Sequence, residues 1–93
     1  MSYTVRIKKR AEKEIAKLDR KTQSLIMHWM TENLEGCENP RVVGNAKKLE
    51  SVADGWRWRI GVYRILGVIH DNEVLIEIFR VGHRREVYKH LES

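Results

Sequence analysis

The residues with chemical potential gather in the second half of the chain. Arg57 and Arg59 stand two apart, Arg64 follows closely, and His83, Arg84, Arg85 and Tyr88 form a later group. From Arg57 to Arg85 every basic side chain is arginine, whereas lysine predominates from Met1 to Lys48. Lysine suffices to keep a surface hydrated. Arginine adds a rigid planar fork of donors that matches phosphate or carboxylate. The second half therefore reads as built to hold an oxyanion, the competing use of these arginines being pairing with Glu73, Glu77 and Glu86. Such a set suits phosphoryl transfer on RNA without a metal. That reaction needs a base for the 2′-hydroxyl, an acid for the 5′-oxygen, and cations around the phosphorane. Guanidinium groups supply the cations, and one well-placed donor in an oxyanion site contributes on the order of 3 kcal/mol. His83 alone in the set has an ordinary pKa near neutrality, which makes it the favoured proton carrier. Tyr88 can stack on a base or orient a phosphate. Arg84 and Arg85 hold their protons too firmly to act as acids.

Patterning shows how the chain can position these groups. Tyr3, Val5 and Ile7 alternate with polar residues, predicting a strand over 2–8. Ala11, Ile15 and Leu18 follow helical spacing, as do Ile26, Trp29, Met30 and Leu34. Asp19 is placed to cap a second helix over 20–34, and the two helices form a hairpin. Gly36, Asn39, Pro40 and Gly44 mark a loop to about Glu50 that holds Lys47 and Lys48. Its length fits either a functional loop or a plain crossing. Asp54-Gly55 opens a strand in which Trp56, Trp58 and Ile60 alternate with Arg57 and Arg59, giving one wholly cationic face. Gly61-Val62 predicts a tight reversal into a strand over Tyr63–His70, and Asp71-Asn72 a two-residue hairpin into a last strand, Glu73–Val81, broken by Gly82. His83–Leu91 reads as a loop or short terminal helix. The expected fold is α+β: a two-layer sandwich of an N-terminal strand, a helical hairpin and an antiparallel three-strand meander, the helices covering one sheet face. Arg57 and Arg59 must leave the same face. Arg64 is expected to join them, since an isolated arginine under the helices is costly, and His83, Arg84 and Tyr88 to approach from the end of the last strand.

Composition narrows the class. A chain of 93 residues is read as a single domain over 1–93 with one modest core. No run is long and apolar enough for a membrane span, and Arg6, Lys8, Lys9 and Arg10 interrupt the only stretch that could serve as a signal peptide. One cysteine, Cys37, permits no internal disulfide, which fits a reducing cytoplasm. A net charge of +5 points to a polyanion or an acidic protein as partner. The histidines and the cysteine show no metal-ligand spacing, and no glycine-rich phosphate loop occurs, so neither metal nor cofactor is expected. His28, His70 and His90 are assigned no role, and Trp56 and Trp58 are read as packing residues.

The string Trp-Arg-Trp-Arg-Ile-Gly-Val-Tyr-Arg-Ile (56–65), followed by Val-Gly-His-Arg-Arg-Glu-Val-Tyr (81–88), resembles the RelE toxins of the RelE/ParE superfamily. The likeness extends to Lys17-Leu18-Asp19 between the helices and to the Lys-Lys-Leu segment before the meander. It implies the toxin of a type II toxin–antitoxin pair, with a microbial-ribonuclease-like fold. The activity implied is a ribosome-dependent, metal-independent endoribonuclease that cuts mRNA in the A site and leaves 2′,3′-cyclic phosphate and 5′-hydroxyl ends. By position, Arg57 and Arg59 replace two catalytic basic residues, Arg64 matches the arginine that holds the scissile phosphate, and Arg84 and Tyr88 match the arginine and tyrosine of the C-terminal motif. Lys47, Lys48 and Arg85 are expected to contact RNA or the ribosome. The best-known members carry lysines where Arg57 and Arg59 stand. Another branch pairs a histidine at the His83 position with a glutamate where this chain has Lys47-Lys48. The implied partner is a RelB-like antitoxin, acidic and partly disordered, in a heterodimer or heterotetramer. The alternative is a ParE-type toxin that blocks DNA gyrase without cutting RNA.

Overall fold

Five strands form one sheet in the order β1-β5-β4-β3-β2. A computed structural model describes residues 2–89. Its elements are β1 (Thr4–Ile7), α1 (Lys9–Ala16), α2 (Arg20–Asn33), β2 (Lys47–Lys48), β3 (Gly55–Ile60), β4 (Tyr63–His70) and β5 (Leu75–His83). The alternating residues of β1 lie parallel to β5, Val5 opposite Ile76 and Ile7 opposite Ile78. The other pairings are antiparallel.

The helical hairpin forms where spacing and capping place it. The Asp19 carboxylate accepts from the Thr22 amide at 3.2 Å, satisfying one of the orphan donors at the start of α2. Gln23 Nε2 donates to the Leu18 carbonyl at 2.8 Å and closes the junction. Ala11, Ile15, Ile26, Met30 and Leu34 then pack on Trp58, Ile65, Ile69, Ile76, Ile78 and Val81 of the sheet. Trp58 is fully buried, and its indole N–H donates to the Pro40 carbonyl at 2.9 Å. That bond, together with Arg41 stacked 5.8 Å from the Trp56 ring, pins the 36–46 loop against the core. The loop is a packed crossing, and its end becomes β2, so the expected loop to Glu50 is one short strand shorter.

The meander departs from strict alternation at two places. The β4–β5 connection is a 3-10 turn, Asp71–Glu73, followed by Val74 in the left-handed region at φ 51°; it is not the two-residue hairpin that Asp71-Asn72 predicts. The Val74 carbonyl accepts from the Thr4 amide at 3.0 Å, so this strained residue starts the parallel ladder. Further along, Leu66 opposes Arg80 and Gly67 opposes Ile78, which leaves Phe79 as the extra residue of a bulge. The strand continues through Gly82 to His83, where the sequence predicted a break. By contrast, Gly61, at φ 56°, and Val62 make the tight reversal as expected.

The rim of the sheet beside β1 is covered. Along the outer side of β1, Tyr3 N–H donates to Cys37 O at 2.9 Å, Gly36 N–H to Tyr3 O at 2.7 Å, and Val5 N–H to the Glu35 carboxylate at 3.2 Å. The opposite rim is β2, which has two residues, both lysine.

Candidate active site

On the sheet face away from the helices lies a second, smaller apolar cluster of Leu49, Leu66 and Val87, with Val52 and Phe79 against it. The arginines rise beside this floor. Arg59 is the direct cross-strand partner of Arg64, and Arg57 opposes Leu66 on one side and Lys47 on the other. Directly opposed residues share a face, so Lys47, Arg57, Arg59 and Arg64 form one cationic patch across β2, β3 and β4. Lys48 pairs with Trp56 and takes the other face.

These cations are left uncompensated. Among the described residues, no carboxylate lies within ion-pair distance of Arg57, Arg59, Arg64, Arg84 or Arg85. Glu73 and Glu77 approach His70, Glu77 also approaches Arg6, and Glu86 pairs with Lys89. Arg57 Nη1 is buried with no hydrogen-bond partner, a costly state for a charged donor. Arg64 Nη1 donates to the carbonyls of Gly61 at 2.9 Å and Tyr63 at 3.1 Å, which fixes its fork at the reversal. Burial depresses the Arg64 pKa, the Arg57 and Arg59 charges push the same way, and the nearby Tyr88 opposes them. Tyr88 therefore lies on the Arg64 side of the sheet.

The bulge decides where His83 goes. Counting alternately from Ile76 and Ile78, both buried in the main core, would send His83 to the arginine face. The extra residue at Phe79 reverses that parity, so Val81 enters the main core and His83 pairs with Tyr63. The two rings meet edge-on with centroids 6.2 Å apart. His83 Nδ1 accepts from the Arg85 amide at 3.1 Å, and its carbonyl accepts from Glu86 and Val87. The neutral ring thus carries its proton on Nε2, and His83 caps the closing turn. This corrects the expectation that the imidazole converges with the guanidinium groups. Arg84 is tied by its backbone, donating to the Val62 carbonyl at 2.7 Å, and Arg85 sits exposed in the same turn. The residues from Arg84 to Lys89 form successive turns, not a helix; His90 lies outside the described residues.

Other chemistry finds less support. Burial and Glu35 push the Cys37 thiol pKa up, away from the reactive thiolate. No cluster of three or more His, Cys, Asp or Glu side chains able to hold a metal occurs among the described residues, and no helix there is long and apolar enough to cross a membrane. A concavity of about 320 Å³ at the far end of β4 is lined by Asp54, Asp71 and Glu73, the wrong sign for an anion. Two residues that sequence reasoning passed over bear on the site, Arg80 and Glu14. No local pattern marks them, because their pairing joins α1 to β5.

With this geometry in hand, likeness to known proteins is informative. Residues 5–88 match the family described as the ParE toxin of type II toxin–antitoxin systems, parDE. Toxin RelG of Mycobacterium tuberculosis is 30% identical over 89 residues, covering 96% of this chain and 99% of that protein. The RelBE2 toxin–antitoxin complex from M. tuberculosis contains a chain that superposes with TM-score 0.71 at 27% identity, covering 90% of this chain and 100% of that one. The archaeal RelE–RelB complex from Pyrococcus horikoshii gives 0.72 at 26% identity over 94% and 100%. Sequence and fold agree in placing this chain in the RelE/ParE family, as a toxin of a type II toxin–antitoxin system.

Proposed function

We propose that this toxin is a ribosome-dependent endoribonuclease that cuts mRNA in the A site by metal-independent attack of the 2′-hydroxyl. The observation that supports it best is the uncompensated arginine patch, Arg57, Arg59 and Arg64 on one sheet face with Lys47 beside them. A phosphodiester entering between Arg57, Arg59 and Arg64 would relieve the repulsion among the three guanidinium groups. As charge grows on the phosphorane, the same groups bind it more strongly than the ground state, which is the condition for catalysis. Tyr88, beside Arg64, orients the phosphate or stacks on a neighbouring base. Lys47 extends the patch along the strand path, and Arg84, Arg85 and Lys48 meet RNA or ribosomal phosphate at the margins.

Arginine makes a poor base at neutral pH, and the imidazole of His83 is turned towards Tyr63. The chain's share of the reaction is thus electrostatic and geometric. A toxin that, among the described residues, brings cations and a phenol but no base in reach has reason to need the ribosome, where the message is held in a fixed path. The products expected are a 2′,3′-cyclic phosphate and a 5′-hydroxyl. The partner we infer is a RelB-like antitoxin whose acidic, extended segment covers the same cations, with charge complementarity speeding its association.

The test is to add the protein to translating ribosomes, map mRNA ends, and ask whether the downstream fragments accept phosphate from a kinase without prior phosphatase. Arg64→Ala should fold, bind the antitoxin and lower cleavage by about 10²–10³-fold. His83→Ala should lower it less than Arg64→Ala does. Intact mRNA together with blocked DNA supercoiling would replace this reading with the gyrase one.

A further inference from the structure

We propose that the buried pair Arg80–Glu14 is a positioning device that holds Tyr88 on the Arg64 side of the sheet; the proposal rests on the reading of Tyr88 as part of the working site. Arg80 is the one buried charged side chain among the described residues, 7% exposed. Burying a charge is costly unless it is paired and fully hydrogen-bonded, and this one is spent on two partners at once. Its Nε donates to Glu14 Oε2 at 2.9 Å, and its Nη1 donates to the Lys89 carbonyl at 2.9 Å. The second oxygen of Glu14 accepts from the Val81 amide at 3.0 Å. Glu14 thereby takes the place of a neighbouring strand where β5 runs past the end of β1, just after the bulge.

The consequence falls on the residue between two anchors. Val87 is 1% exposed and packs on Leu49 and Leu66. Lys89 is held through its carbonyl by Arg80. Tyr88, between them, is 39% exposed and follows Val87, which lies over Gly82, the cross-strand partner of Arg64, so the phenol is carried to the Arg64 side of the sheet. Among the described residues, the turns from Arg84 to Lys89 hold themselves together by local bonds alone: Arg85 to His83 Nδ1, Glu86 and Val87 to the His83 carbonyl, Lys89 to the Glu86 carbonyl, and the exposed Lys89–Glu86 ion pair. Such a segment opens locally unless it is tied down. Arg80 ties its far end to α1, so the helix layer on one side of the sheet fixes a side chain on the other. Arg80 is a positioning residue: it acts through Tyr88 and does not meet the substrate.

Arg80→Lys separates this role from a simple contribution to stability. Lysine can keep the ion pair with Glu14, but its single ammonium lacks the fork that reaches Glu14 and the Lys89 carbonyl together. We expect thermal unfolding close to wild type, with amide exchange at Val87 and Lys89 at least tenfold faster and exchange across β3 and β4 unchanged. Growth inhibition should weaken in Arg80→Lys, and in a Tyr88→Ala background the same change should add nothing further. Unchanged exchange at Val87 and Lys89 would overturn the proposal, as would acceleration throughout the sheet or an additive loss in the Tyr88→Ala background. Exchange is read without substrate. Loss of the nuclease reading would therefore show as intact mRNA with the exchange result standing, whereas failure of the clamp would show as cleavage with unaltered exchange.

Discussion

Replacing Arg59 with glutamine should make the protein more stable and less toxic. Arg59 and Arg64 are direct partners across β3 and β4, with no carboxylate in ion-pair distance of either among the described residues. Their Cβ atoms sit about 5 Å apart by the geometry of an antiparallel pair. With charge centres about 6 Å apart and an effective dielectric of roughly 40–80 for a half-wet surface, the repulsion is about 1 kcal/mol. Arg59→Gln removes it and keeps part of the aliphatic stem. For a domain of this size the gain corresponds to a rise in Tm of about 4–8 °C, or a urea midpoint higher by about 0.5–1 M. The assay is urea unfolding followed by circular dichroism at low salt and again near 1 M sodium chloride, where the screening length falls to about 3 Å. The stabilisation should shrink at high salt, because screening already relieves the wild type, while growth inhibition falls at either stability. A variant that is less stable, or whose gain ignores salt, would refute the idea that these cations are held together against their own repulsion.

Further predictions concern the frame. A Cβ on Gly67 would sit 3.0 Å from Ile78 Cδ1 and 3.1 Å from both the Glu77 carbonyl and the Trp58 ring, so Gly67→Ala should destabilise by about 1–3 kcal/mol in urea titration. Trp58→Phe leaves the Pro40 carbonyl without its donor and should lower stability by about 1–3 kcal/mol before any cavity is counted, with faster proteolysis in the 36–46 loop. Hydrogen bonds from Tyr3 and Arg41 hold the Asp71 carboxyl below the usual aspartate range. A depressed folded pKa stabilises above the unfolded value, near 4, and that contribution is lost as pH falls through the folded one. The stability gap between wild type and Asp71→Asn should therefore be complete at pH 7 and close on acidification below about 4; a gap that persists at lower pH would refute the linkage.

The sequence carried the local grammar of this fold and less of its long-range bookkeeping. The helical spacing of Ile26, Trp29, Met30 and Leu34, the cap at Asp19 and the reversal at Gly61-Val62 are decided by near neighbours, so they could be read directly. The shared face of Arg57, Arg59 and Arg64 follows from period two and one tight turn. A two-residue strand such as β2 is too short to show a period. The parallel pairing of β1 with β5 depends on a partner far along the chain. The bulge at Phe79 leaves no mark on an apolar run, yet one extra residue moved His83 to the other side of the sheet. The Arg80–Glu14 contact was invisible for the same reason as β1–β5: its partners are separated by 66 positions.

The two rims of the sheet, one covered and one cut short, bear on how the toxin behaves when no antitoxin is at hand. A molecule seeking to add itself along β1 must first strip away the bonds that tie Tyr3 and Val5 to Glu35, Gly36 and Cys37. One approaching β2 meets a stub with room for little pairing and must press lysine upon lysine. Neither route favours growth of stacked, fibril-like assemblies. A toxin without its antitoxin thus offers a second copy few places to add a strand.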